Sequence, residues 1–219
     1  MRSYNQYCSM ARALDLVGDR WTLLIVRELL TQGPCRFADL RRGLPGIASN
    51  LLADRLREME ATGLLVRTEE PPPVAATLIR LTARGRDLGG VVGELTRWGA
   101  PLMATPPEDD EFRVHWFALP LRHFARDGAP DEPPVTVRLG DLSDGCDVLA
   151  GGGRVDVRPC STDRQPDATV TAPPQVLIRL FTGQISVRKA QAEGLTVSGS
   201  VDALERVLPE RGERRARPR

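Results

Sequence analysis

Asn50, Asp54 and Arg57 stand four and three residues apart, and each ends in groups that can hydrogen-bond to the edge of a base. In a helix turning about 100° per residue they share one face, and Leu52, Leu56 and Met59 lie opposite. Ser49 sits just ahead of them, where it or its neighbour can cap the helix. The arginines around this stretch, Arg36 before it and Arg67 and Arg80 after it, are charges of the kind that meet phosphates. A reading face flanked by phosphate contacts is chemistry for binding duplex DNA. The competing explanation is a helical hairpin with solvated arginines. Other reactive groups are sparse. His115 and His123, the only histidines, lie eight apart among aromatic side chains, a setting of core or surface residues rather than ligands. Spacing brings no nucleophile and base together, so no catalytic residue, metal or cofactor is expected and the chain does not read as an enzyme. The four cysteines, Cys8, Cys35, Cys146 and Cys160, include no C-x-x-C pair and read as reduced thiols.

Two short helices and a turn must hold the reading face. Phe37, Leu40 and Leu44 give the first its apolar side, Pro45 and Gly46 stop it, and the chain reverses over Leu44 to Ile47 before the second helix runs to Gly63. Ahead of them, Met10 to Val17 is helical, and Arg20 to Leu30 is a central helix apolar on nearly every side and anchored by Trp21. Behind them the pattern changes to strands at 64–69 and 77–82, with Pro71, Pro72 and Pro73 between. Prolines suit a projecting hairpin tip. A helix-turn-helix followed by a two-stranded hairpin is a winged helix. Thr82 then caps a long helix through Trp98, whose Leu88, Val91, Val92 and Leu95 make a stripe wide enough to call for a partner helix.

The 219 residues have room for two small domains. With no run of about 18 apolar residues and no basic-then-apolar leader, the expectation is a cytoplasmic protein away from membranes. Residues 1–105 carry 14 Arg against 11 acids, net +3, and residues 106–219 carry 16 basic residues against 18 acids, net −2. That asymmetry points the first half at nucleic acid. The division falls in TPPEDDE, Thr105 to Glu111. The expected organisation is a winged helix for DNA binding and dimerisation at 1–104, a linker at 105–111, a second domain at 112–209 and a disordered basic tail at 210–219.

The first half also carries a resemblance. Cys8; Gly18, Arg20, Trp21 and Thr22; Arg36, Phe37, Asp39 and Leu40; Gly46, Ile47, Leu52, Arg55 and Leu56; and Leu81, Thr82 and Gly85 follow a pattern that resembles the HxlR family of bacterial winged-helix regulators. The resemblance covers roughly residues 8 to 100. It implies an N-terminal α+β winged helix, mostly helical with a two-stranded wing, in a homodimer that binds a two-fold operator in double-stranded DNA. Its dimer contacts would come from the N-terminal and post-wing helices. Met59 departs from the usual Leu, and Leu78 and Ile79 replace a frequent polar-aromatic pair in the wing. Some members of that family respond to oxidants or electrophiles through an N-terminal Cys, which makes Cys8 a candidate redox site. Arg12, one turn along the same helix, is placed to lower its pKa. Burial as a small apolar residue is the ordinary alternative for Cys8.

After the linker, residues 112–125 read as one aromatic-rich helical segment, followed by alternating strands at 135–139, 146–150 and 154–159. From Asp167 to Leu208 a strand, a helix opened by Pro173, a short helix, a strand ending in V-x-G and a last helix resemble the sterol-carrier-protein type fold. An α+β domain is implied, one that often holds an apolar ligand between sheet and helices. Trp116, Phe117 and Leu119, facing Val176, Leu177, Leu180 and Phe181, are the candidate ligand-binding residues; mutual packing in a filled core is the alternative. A lipid or acyl-chain carrier, with the winged helix as an interaction module, is thus a second functional class.

Overall fold

The computed structural model describes residues 3–72, 75–104 and 110–209. The expected wing tip at Pro73, most of the linker and the basic tail lie outside those residues. The chain divides into two compact units, residues 1–98 and 99–219.

The first unit opens with α1 (Ser9–Val17) and α2 (Thr22–Gln32), then α3 (Phe37–Arg42) and α4 (Ser49–Ala61). Strands β1 (Leu65–Glu70) and β2 (Ala76–Leu81) pair antiparallel, Leu65 opposite Leu81, and α5 (Ala83–Gly99) follows. The apolar stripes meet as their spacing requires. Ile25 and Val26 of α2, Leu40 of α3, and Leu52, Leu56 and Met59 of α4 are buried together with Leu65, Ile79 and Leu81 of the wing base. Between α3 and α4 the chain turns through Gly46 at φ 81°, a left-handed conformation that glycine adopts without strain. Cys35 exchanges both backbone hydrogen bonds with Ile79, at 3.2 and 2.9 Å, and so ties the entry of α3 to the wing. Thr82 caps α5 as expected, its hydroxyl accepting the Gly85 N–H at 3.1 Å. Glu28 of α2 is fully buried, and the Arg27 guanidinium donates to it at 3.0 and 2.7 Å.

The second unit is α+β. A 3-10 turn (Val114–Phe117) leads into α6 (Ala118–Phe124), and β3 (Val135–Gly140), β4 (Gly145–Gly151) and β5 (Arg154–Pro159) form a meander. Then come β6 (Ala168–Thr171), α7 (Pro174–Phe181), α8 (Val187–Ala192), β7 (Thr196–Gly199) and α9 (Val201–Val207). The sheet order is β5-β4-β3-β6-β7, with β3 and β6 parallel and the other neighbours antiparallel. The single helix expected over 112–125 is a 3-10 turn followed by a short helix. Pro120 falls in the first turn of α6, where a missing N–H costs nothing. Val137 and Leu139, Cys146, Val148 and Ala150, and Val157, Ala168 and Val170 form the buried face of the sheet against α6, α7 and α9.

Five of the seven residues expected to line an apolar cavity pack as core. Phe117, Val176, Leu177, Leu180 and Phe181 belong to one buried cluster, and Phe117 meets Phe181 edge to face at 5.8 Å. Leu119 on α6 is buried but not part of that cluster, and Trp116 is half-buried.

Candidate nucleic-acid interface

The outward face of α4 is built by its inward one. Burial of Leu52, Leu56 and Met59 fixes the rotation of the helix, and Ser49, Asn50, Asp54 and Arg57 are left exposed along the opposite side. Asp54 and Arg57, one turn apart, form an ion pair with each other. Ser49 is not the cap. Ala48 holds that position in an extended conformation with no side-chain hydrogen bond, and Ser49 is the first helical residue. The Ser49 hydroxyl instead accepts from Nη1 of Arg41 at 2.7 Å. Arg41, exposed on α3, therefore stands at the start of α4. Sequence spacing does not single it out, because nothing in a six-residue helix tells which of two adjacent arginines turns toward the next element.

Arg36 is exposed at the N-cap of α3. The wing arginines are more constrained than the sequence implies. Arg80 on β2 is bridged to Glu70 at 2.6 Å, and Arg67 on β1 faces Glu60 of α4 at 3.6 Å. The acids that hold them come from the far end of β1 and the end of α4, and only the folded chain brings them near. Both pairs are part-exposed and can open for a phosphate at modest cost. Glu70→Gln is accordingly expected to raise affinity for duplex DNA of any sequence and to steepen its salt dependence, measured by fluorescence anisotropy at several salt concentrations, because it releases Arg80 for the backbone. Unchanged affinity at every salt concentration would remove Arg80 from the contact surface.

Cys8 is exposed at the N-cap of α1, against the alternative of burial. The backbone N–H groups of Ala11 first, then Met10, at the start of α1 lower the thiol pKa from the ordinary value, although no cap hydrogen bond to the side chain forms. Arg12, which its place one turn along α1 suggested for that effect, is not among the causes. Cys35 is buried, and its thiol is pushed up to about 12. His115 in the second unit lies with Nδ1 2.7 Å from Oδ1 of Asp144, and His123 is exposed on α6. Among the described residues no group of three or more His, Cys, Asp or Glu is arranged to hold a metal, and no helix is long and apolar enough to cross a membrane.

A short helix, a tight turn, a second helix with a polar outer face, and a two-stranded hairpin define the first unit as a winged helix-turn-helix. The family model of the HxlR-like helix-turn-helix matches residues 16–106. The chain is 33% identical over 87 residues to YvaP of Bacillus subtilis (strain 168), described as an uncharacterised HTH-type transcriptional regulator; that match takes in 40% of this chain and 80% of YvaP. It is 42% identical over 98 residues, 45% of this chain, to the similarly described Rv3095 of Mycobacterium tuberculosis (strain H37Rv), and spans 61% of that relative. Among solved structures, the reduced form of the transcriptional regulator YodB from B. subtilis aligns over 43% of this chain and 92% of its own, with 32% identity and a TM-score of 0.39. The chain belongs to the HxlR-like helix-turn-helix family.

Proposed function

We propose that the protein is a homodimeric transcriptional regulator that binds duplex DNA in a sequence-dependent manner, with α4 in the major groove. The observation that carries this reading is the exposed run Asn50, Asp54 and Arg57 on a helix whose other side is locked into the core. The absence of a side-chain cap at the start of α4 supports it, since the first N–H groups of a helix favour a phosphate. Arg36, Arg67 and Arg80 are the proposed backbone contacts. Asn50→Ala is expected to weaken operator binding by about 1 to 3 kcal/mol and to relax preference at one base position. Footprinting on the chain's own upstream region, followed by gel shift with single-base variants, measures both. Equal affinity of the parent protein for random and upstream DNA would refute the reading and favour a carrier.

Dimerisation is supported by apolar side chains left in solvent on the two helices named for it. Tyr4, Tyr7 and Met10 at α1 and Val91, Leu95 and Trp98 on α5 are all exposed. A two-fold dimer requires half-sites about 34 Å apart or a multiple of that. For residues 112–209 the sterol-carrier-type reading rests on the strand-helix-helix-strand-helix order from Ala168 to Val207. An apolar effector there would have to displace Phe117, Leu177 or Phe181 from one another, and mass spectrometry of a solvent extract of the purified protein reports whether one is held.

A thiol-based response is the second reading, favoured by the exposure and lowered pKa of Cys8. A lowered pKa raises the thiolate fraction at neutral pH, and the thiolate is the reacting form. Cys8→Ser is expected to abolish diamide-induced release of DNA in gel shift while leaving untreated affinity unchanged; release that persists in the variant would exclude Cys8.

A further inference from the structure

We infer that Asp54 and Arg57 act as one unit that recognises a single G·C base pair through its major-groove edge. The inference rests on the proposed binding of duplex DNA by α4, and it names the base pair that this face selects. Nη2 of Arg57 donates to Oδ1 of Asp54, one turn back on the outward side of α4. The two side chains stay 68% and 55% exposed, so the remaining guanidinium N–H groups and carboxylate lone pairs are open to a ligand. Folding gives no strong reason for the pair, since an ion pair this exposed contributes little to stability. Attraction to the DNA backbone gives none for Asp54, because phosphates repel a carboxylate.

The order of groups along the pair selects the base pair. Two adjacent guanidinium nitrogens present donors, and the Asp54 carboxylate beside them presents an acceptor. The major-groove edge of a G·C pair offers the complementary row, acceptors at N7 and O6 of guanine followed by the N4 donor of cytosine. Arg57 then spans N7 and O6 while Asp54 accepts from N4 on the other strand. An A·T pair offers acceptor N7, donor N6 and acceptor O4 instead. Its N6 would face a guanidinium donor and its O4 the carboxylate, so a donor–donor and an acceptor–acceptor contact replace two hydrogen bonds and A·T is rejected. The contact with Asp54 also restricts the guanidinium before DNA arrives, which lowers the ordering cost of binding. Asn50, seven residues earlier on the same face, is left to read a separate position.

The test uses the full chain and the operator it selects from random duplexes, at low salt so that phosphate contacts keep weakened variants bound. At each G·C pair of that operator, 7-deazaguanine removes N7 and, in a separate duplex, N4-methylcytosine replaces the groove-facing N4–H with a methyl group. One pair in each half-site is expected to respond to both, each modification weakening the parent about tenfold in gel shift. Arg57→Ala is expected to lose the response to 7-deazaguanine, and Asp54→Ala the response to N4-methylcytosine. Both positions are exposed, so the variants are expected to fold as the parent does. An operator in which no single G·C pair responds to both modifications, or a response that persists in the matching variant, would overturn the inference while leaving sequence-dependent binding intact. A parent that selects no sequence at all would instead refute the DNA-binding reading, and the inference with it.

Discussion

Asp147→Ala is expected to destabilise the protein by about 3 to 5 kcal/mol, the range for breaking a buried ion pair by removing one partner. Asp147 on β4 and Arg138 opposite it on β3 are 3% and 8% exposed, which leaves the guanidinium no water to turn to once its partner is gone. Their contact is bidentate, Nε to Oδ1 at 2.7 Å and Nη2 to Oδ2 at 2.8 Å. Nη2 also donates to the Ser161 carbonyl at 2.7 Å, and the Ser161 N–H donates to Oδ2 of Asp147 at 3.3 Å. The pair therefore pins the chain after β5 across the outer face of the sheet. The Asp147 carboxylate raises the already high pKa of Arg138, and arginine does not escape a buried site by losing its proton. Urea unfolding of the full chain measures the loss. Arg138→Met combined with Asp147→Leu, which removes both charges at similar volume, is expected to recover most of it. A double variant as weak as Asp147→Ala would mean that the hydrogen bonds to Ser161, not the buried charge, dominate.

The same pair shows where the sequence stops being legible. In CDVLA the alternation of Cys146, Val148 and Ala150 with Asp147 and Leu149 assigns the inner face correctly, and an aspartate on the other face reads as solvated. Its burial depends on the chain near Ser161 folding back over it, a contact 14 residues distant that no local period encodes. Glu28 on α2 and the Arg55 bridge to Asp19 are hidden in the sequence for the same reason. Helix α4 is legible because a 3.6-residue period fixes both of its faces at once, and its polar face needs no tertiary contact to be recognised. Apolar helix faces are ambiguous in a different way. Val176, Leu177, Leu180 and Phe181 would look identical in sequence whether they lined a cavity or filled it, and only their contact with Phe117 and the sheet distinguishes the two. The wing arginines fall on the strands expected of them, but their acidic partners Glu60 and Glu70 appear only once the chain is folded.

Gly85→Ala should do comparable damage to the first unit, about 3 kcal/mol, by forcing apart two elements that touch through backbone alone. A Cβ on Gly85 would lie 2.0 Å from the Leu64 carbonyl oxygen and 3.0 Å from its carbon, distances that no side-chain rotation can relieve. The Leu64 carbonyl is held where it is by the Thr82 N–H at 3.1 Å, and Leu65 beside it opens β1 opposite Leu81 at the foot of the wing. To admit the methyl group, α5 must move away from the junction of α4 and β1. That displacement reaches the wing and the reading helix together, so operator affinity is expected to fall along with thermal stability. Gly89, one turn further along the same helix, supplies the control. Its Cβ would meet the Leu30 side chain at 3.7 and 3.8 Å, ordinary van der Waals contact, so Gly89→Ala gains helix propensity without a clash. It is expected to stabilise by about 0.5 to 1 kcal/mol. Calorimetry and gel shift on the two variants, which differ only in where one methyl group is added to α5, should therefore move melting temperature in opposite directions, and operator binding should suffer in Gly85→Ala alone. Equal, small shifts in both variants would show that the contact between α5 and Leu64 is not what sets the wing.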